Sequence, residues 1–366
     1  MSVTIQPRLS PWEYFTLLGA GSKVLITVLL ESVFGVFRGS RGAPTYARHI
    51  FYSLIRSQSA SLSTRQMQAL QPSTLETYHV FASKKKFNPR VVKLHDADDT
   101  VGCWIGDKDA GTTILYFHGG GYAAYANSAQ LELLWNVMTE VKRRGGNVAT
   151  LVLQYDLAPG GAYPRQLEQA TLALGHLTKI EGKRCSQIIL CGDSAGGNLT
   201  LALLSHIMHP HPDVQRLSAP IDKFRGVILI SPWVSFSQTA QSFTSNAYRD
   251  VLDNGTLKTW ANAFLGGAEP DEYTEPLTAA PEWWSNMPAE KVLITAGEHE
   301  ALRDDILEFG SKVKDLNHPT VDEVFLGEAE CHDAPVIDGL LGKYNGPTAM
   351  KVYDFVCELV LTGMRT

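Results

Sequence analysis

Short, unbroken apolar runs alternate with amphipathic stretches along most of this chain. Residues 91–94 and 101–105 read as a first hairpin, and residues 113–117 as an apolar strand running into glycines. Residues 128–144 repeat apolar positions at helical spacing (Leu131, Leu134, Trp135, Met138, Val141), with Gly145 past the end. Residues 148–154 form another apolar strand. Pro164 opens a helix with Leu167, Thr171, Leu174 and Leu177 on one face, ended by Gly182. Further strands are expected at 187–191, 227–230, 292–295 and 321–325, and a helix begins near Ser194. Pro347 opens a closing helix with Val352, Phe355, Val356 and Leu359 facing inward. Unbroken apolar strands separated by helices predict an α/β fold: a mostly parallel central sheet covered by helices on both faces.

Two stretches depart from that alternation. Residues 1–87 read as helical, broken at Arg41-Gly42-Ala43-Pro44 and at Pro72, with Lys84-Lys85-Lys86 as a solvated turn. Residues 232–288 hold Trp233, Trp260, Phe264, Tyr273, Trp283 and Trp284. The expected layout is an N-terminal helical cap segment (1–87), a catalytic core (88–231 and 289–366) and a cap insertion (232–288). The cap would lie over the strand ends, where α/β sheets bind ligands.

Residues 14–37 are nearly all apolar and long enough to span a bilayer. Lys23 and Glu31, eight apart, fall on roughly one helical face. That favours a helix packed on the protein or lying on a membrane surface over a true anchor. Only Arg8 precedes the stretch and no small-residue cleavage site follows, unlike a signal peptide.

Composition narrows the class. The 366 residues are 44% hydrophobic and 19% charged, against ~25% charged in an average domain. With 32 Lys+Arg and 38 Asp+Glu the net charge is −6, which excludes a basic nucleic-acid footprint. The five cysteines are odd in number and none shows C-x-x-C spacing. Neither a disulfide scaffold nor a zinc site is expected, and the setting reads as reduced and cytoplasmic, with the N-terminal helix as a membrane contact left open.

The chemistry concentrates in a few motifs. Gly192-Asp193-Ser194-Ala195-Gly196 follows an apolar strand and opens an apolar helix. That is the strand–turn–helix of a nucleophile elbow, with the serine oxygen projecting above the sheet and a helix N-terminus behind it. His118-Gly119-Gly120-Gly121 directly follows the 113–117 strand. Its glycines let backbone N–H groups approach a ligand, so Gly119 and Gly120, with the N–H of Ala195, are the candidate oxyanion hole. His118 is expected to shape the loop.

A serine needs a base, and the base an orienting acid. In a fold of this kind both lie in loops after the last strands. His332, in Gly327-Glu328-Ala329-Glu330-Cys331-His332-Asp333, is the candidate base. Glu298, Glu300, Asp304 and Asp305 fall in the acid window. Asp304 and Asp305 suit the first turn of a helix, whereas Glu300 sits at the loop-to-helix junction.

The pairing of His-Gly-Gly-Gly with Gly-Asp-Ser-Ala-Gly-Gly resembles the hormone-sensitive-lipase-like branch of the α/β-hydrolases. Tyr155-Asp156-Leu157-Ala158-Pro159, Tyr163-Pro164 and Ile230-Ser231-Pro232-Trp233 are similar to other landmarks of that branch. The resemblance runs from about residue 113 to the C-terminus, and the N-terminal third is similar to fungal members, which often act on specialised metabolites. It implies a Ser–acid–His esterase with a cap built from the N-terminus and an insertion. Glu300-Ala301-Leu302-Arg303-Asp304-Asp305 fills the family's D-x-L-R-D-E pattern, which maps the acid onto Glu300. Glutamate for aspartate departs from the family and leaves Asp304 as a fallback.

Other signals are weaker. Gly19-Ala20-Gly21-Ser22-Lys23 does not satisfy a phosphate loop. His209-Pro210-His211 lacks further metal ligands, and Cys331 is not needed as a nucleophile. The cap tryptophans suit packing and substrate contact equally.

The expected function is cofactor-free and metal-free hydrolysis of a carboxylic ester, a small acyl or acetyl ester of a hydrophobic metabolite, by Ser194, His332 and Glu300. Acyl transfer or lactonisation by the same triad, and a non-catalytic binding role, are the alternatives. The partner expected is a small hydrophobic ester, with no nucleic acid; a membrane-surface contact through residues 14–37 and a homodimer stay open.

Overall fold

The computed structural model describes residues 6–95, 98–217, 222–317 and 320–362. The described residues form one eight-stranded sheet: β1 Arg90–His95, β2 Asp98–Ile105, β3 Thr112–Phe117, β4 Val148–Gln154, β5 Ile188–Asp193, β6 Gly226–Ile230, β7 Val292–Gly297 and β8 Phe325–Gly327. Its spatial order is β1-β2-β4-β3-β5-β6-β7-β8. β2 pairs antiparallel with β1 and β4, and every later pairing is parallel.

The helices are α1 Pro11–Phe34, α2 Tyr46–Ser61, α3 Thr64–Leu70, α4 Thr74–Lys85, α5 Ser128–Arg143, α6 Arg165–Gly175, α7 Ala195–Met208, α8 Gln241–Ser245, α9 Asn254–Leu265, α10 Arg303–Asn317, α11 Ala334–Leu340 and α12 Pro347–Thr362. The strand period of two divides the core between the two faces. Leu115, Phe117, Ile188 and Leu190 pack with Leu167, Leu199, Leu203 and Phe309 of α6, α7 and α10. Ile114, Tyr116, Ile189 and Cys191 face the other way, onto Leu131, Leu134, Val352 and Val356 of α5 and α12. Trp233, Phe264 and Trp284 from the segment between β6 and β7 join the first of these layers.

Three expectations are corrected. The last strand is not 321–325: Val321 makes only an isolated parallel bridge to Val292, and β8 begins at Phe325. Exposed Asp322 and Glu323 interrupt the stretch, and the ladder forms where Thr295–Gly297 supplies partners. The lysine run is a solvated turn only in part: Lys84 and Lys86 are exposed and Lys86 forms the turn, whereas Lys85 packs inward. Lys84 and Lys85 end α4, both pair with Glu132 of α5 at 3.0 and 2.6 Å, and Lys85 lies 5.3 Å over the Trp135 ring. Lys23 and Glu31 do not share a face: Lys23 is exposed, whereas Glu31 turns inward to His49 Nε2 at 2.9 Å.

Candidate active site

Ser194 stands between β5 and α7 with φ 52° and ψ −116°. Its N–H donates to Ile230 O at 2.9 Å, and its carbonyl accepts from Trp233 N at 3.0 Å. Hydrogen bonds thus fix a conformation that a non-glycine residue rarely adopts. The turn is tight enough that a Cβ on Gly196 would sit 1.9 Å from Phe117 O, so only glycine lets α7 approach β3 here.

Ser194, His332 and Glu300 come together although they are far apart in sequence. Ser194 Oγ lies 2.8 Å from His332 Nε2, and His332 Nδ1 lies 2.7 Å from Glu300 Oε1. A carboxylate only accepts, so Nδ1 carries the imidazole proton and Nε2 is left to accept from the serine hydroxyl. Glu300 is 0% exposed, and its Oε2 accepts from Ser231 Oγ and Gly297 N, each at 2.8 Å. The glutamate's added methylene is accommodated because its carboxyl folds back onto the end of β7. Burial opposes a charged His332, but the Glu300 carboxylate overrides it, with help from Asp250, and raises the imidazole pKa above the ordinary value of 6.5.

Asp304 lies elsewhere. Its Oδ2 accepts from Ser242 N at 2.9 Å and its Oδ1 from Arg303 Nε at 2.8 Å. Asp305 sits with it in the first turn of α10.

The glycine loop follows β3 as expected. Gly120 and Gly121 have φ 105° and 61°. Among the described residues no backbone acceptor takes the N–H of Gly119, Gly120 or Ala195. His118 is fully buried, stacked on Tyr155 with ring centroids 4.2 Å apart, and its Nδ1 contacts Gly119 O at 2.8 Å. Burial drives its pKa down to about 4, which keeps it neutral. Helix α3 supports the loop: Gln68 Nε2 donates to Ala123 O and Ala158 O at 2.9 and 2.8 Å. Helix α9 covers it, for a Cβ on Gly121 would meet the Trp260 indole at 2.1 Å. Trp233 and Trp284 are buried packing residues, and Trp283 Nε1 donates to Ser205 Oγ at 3.0 Å.

Several supporting residues were not singled out from the sequence. Ser231, with φ 45°, donates to Glu300 and accepts from Asp333 N at 3.1 Å. Asp250, between α8 and α9, accepts from His332 N and Val251 N through Oδ1, both at 2.8 Å, and from Ala301 N through Oδ2 at 2.7 Å. Burial, and then Glu300, push its pKa up to about 6, against the pull of His332 and the N–H donors.

A second carboxyl pair underlies the site. Asp193 accepts from Tyr116 Oη and, at 2.8 Å, from Gln130 Nε2. Burial, followed by the charge of the neighbouring Asp193, holds the Asp333 pKa well above the usual range. Ser231 lies in a recognisable motif but its role depends on a three-dimensional return; Asp250 carries no pattern that marks it.

No group of three or more metal-ligating side chains occurs among the described residues. His209 Nε2 contacts Trp283 O at 2.8 Å, and His211 Nδ1 accepts from Asp213 N at 3.1 Å, so that motif is occupied with local structure.

Comparison with known proteins agrees with this architecture. The chain is 29% identical over 196 residues to an acetyl-hydrolase of Streptomyces hygroscopicus, covering 53% of this chain and 59% of that protein. It is 28% identical over 214 residues to a putative steryl acetyl hydrolase of Schizosaccharomyces pombe, covering 55% and 53%. The matches thus span between half and three fifths of these relatives' lengths. A solved esterase of the bacterial hormone-sensitive lipase family superposes with a TM-score of 0.61 at 22% identity, covering 85% of this chain and 97% of that one. Carboxyl esterase 2 of Tuber melanosporum gives 0.62 at 20%, covering 75% and 87%. The family model described as alpha/beta hydrolase fold matches residues 114–333. The chain therefore belongs to the alpha/beta hydrolase family.

Proposed function

We propose that the protein is a carboxylic ester hydrolase that works through Ser194, His332 and Glu300. The observation that carries this reading is the continuous hydrogen-bonded line from Ser194 Oγ through the imidazole to the buried Glu300 carboxylate. Ser194 attacks the ester carbonyl as His332 Nε2 takes its proton. Glu300 holds the tautomer and stabilises the imidazolium. The N–H groups of Gly119, Gly120 and Ala195 receive the oxyanion, preorganised by the glycine turn and the start of α7. His332 then protonates the departing alcohol oxygen, and water, deprotonated by the same imidazole, releases the acyl group from Ser194.

The substrate class is an acetyl or other small acyl ester of a hydrophobic alcohol. The acetyl-hydrolase names of two relatives support the small acyl group. Trp260 over the glycine loop supports an apolar alcohol portion. The segment between β6 and β7 acts as a cap in this reading.

Ser194→Ala should abolish hydrolysis of p-nitrophenyl acetate and labelling by a fluorophosphonate while leaving the melting temperature within a few degrees. Undiminished labelling of the variant would exclude Ser194 as nucleophile.

A further inference from the structure

Helix α1 is apolar on its outer face as well as on its packed one, and its carboxylates point inward. Its packed face repeats at Glu13, Leu17, Ala20, Val24, Val28, Glu31, with Gly35 just past its end, a helical period turned toward the protein. Both glutamates of the helix lie on that face: Glu13 pairs with Arg65 at 2.9 Å and Glu31 with His49 at 2.9 Å. The opposite face presents Trp12, Phe15, Leu18, Leu25, Leu29 and Phe34, each more than half exposed, and Phe37 just beyond is 83% exposed. Residues 11–37 are long and apolar enough to cross a membrane, yet only 6% of their most apolar stretch is buried. The polar groups on the outer face are also closed off. Ser22 and Ser32 hydroxyls donate to Leu18 O and Val28 O at 2.9 and 2.7 Å. Lys23 is the one charge there, and its long stem lets the ammonium reach a water boundary.

Both ends of α1 are fastened to the folded body. Near the start, Gln66 Nε2 donates to Glu13 O and Thr16 Oγ1 at 2.8 and 2.9 Å. Near the end, Tyr46 Oη donates to Ser32 O at 2.5 Å. A helix held along its length cannot cross a bilayer without leaving these partners, so it presents its side rather than its tip.

Cations gather at the ends. Arg8 precedes the helix, and Arg38 and Arg41 follow it. A cavity of about 280 Å³ at the far end is lined by Phe37, Arg38, Arg41, Tyr248 and the buried His49, whose Nδ1 has no partner among the described residues. Aromatic side chains and cations at the two ends of an apolar face match the interface between acyl chains and anionic headgroups.

We infer that the protein docks on an anionic bilayer through the outer face of α1, which lies in the plane of one leaflet without spanning it. Arg38 and Arg41 meet lipid phosphates at its end. This inference stands independently of the proposed hydrolysis.

The test is flotation of the full-length, purified protein with phosphatidylcholine vesicles, with and without phosphatidylserine. The wild type should float with both and more completely with phosphatidylserine. Leu25→Glu/Leu29→Glu should lower the bound fraction by at least about tenfold at an unchanged melting temperature. Arg41→Glu should lower binding to phosphatidylserine vesicles severalfold and leave phosphatidylcholine binding as it was. A wild type that does not float, or a double variant that floats equally well, overturns the inference. So does a wild type that sediments as a dimer, becomes monomeric in the double variant and binds no vesicle, because a second copy then covers the face. None of these readouts requires turnover, so failure here is distinct from failure of the hydrolytic reading.

Discussion

His332 is the residue whose ionisation the site controls most directly. Glu300 and Asp250 raise its pKa above 6.5, overcoming burial. As the base of the proposed hydrolysis it would act only when neutral, so kcat/KM should fall as pH drops through a value above 6.5. A pH–rate profile on p-nitrophenyl acetate checks this; an acid limb below that value would contradict the geometry. Ser231 is the other decisive residue. Ser231→Ala removes one of the hydrogen bonds to Glu300 and leaves Asp333 N without its acceptor. The expected cost is about 1–3 kcal/mol, or roughly ten- to a hundredfold in kcat if it falls on the transition state. Sequence singled out Ser194, His332 and Glu300 from their motifs and the resemblance, and the structure brings their side chains within hydrogen-bond reach. Ser231 and Asp250 were not singled out, because their partners are set by which loops meet above the sheet.

At the scale of elements, the elbow depends on how closely α7 approaches β3. Gly196→Ala would put a methyl 1.9 Å from Phe117 O, a backbone atom that cannot rotate away. We expect a loss of at least about 3 kcal/mol, read as a lowered denaturation midpoint or insoluble expression. A variant as stable as wild type would mean that β3 and α7 can separate freely. Most strands and helices were readable from apolar period and from proline and glycine punctuation. β8 lies later than expected because an edge strand of three residues, with Leu326 41% exposed, leaves little apolar signal, so the ladder to β7 defines it. Of the lysines closing α4, only Lys85 departs from an exposed turn, because sequence does not show Glu132 and Trp135 waiting on α5.

Across the whole molecule, burial is nearly complete along the central strands β3 to β7 and nearly absent along α1. All five cysteines are free and buried, and burial raises the pKa of each thiol, that of Cys103 to about 12. A thiol reagent should therefore react slowly or not at all with the native protein and reach all five after denaturation. Fast reaction of one or more without denaturant would reveal an opening that the packed core does not contain. The low charged fraction follows from the doubly covered sheet. The position of the apolar N-terminus did not follow from composition, since hydropathy counts residues without saying which face the neighbouring helices will occupy.

Asp250 lies in the covering segment yet grips the backbone of both catalytic loops, at Ala301 and at His332. That makes this stretch a hinge post and not a door. Lifting it would pull the N–H groups of Ala301 and His332 from one carboxylate and loosen the loop that holds the imidazole. The other end of the same segment carries Trp260 of α9, which closes against the glycine turn. One short segment thus touches the glycine loop at one end and the backbone of Ala301 and His332 at the other.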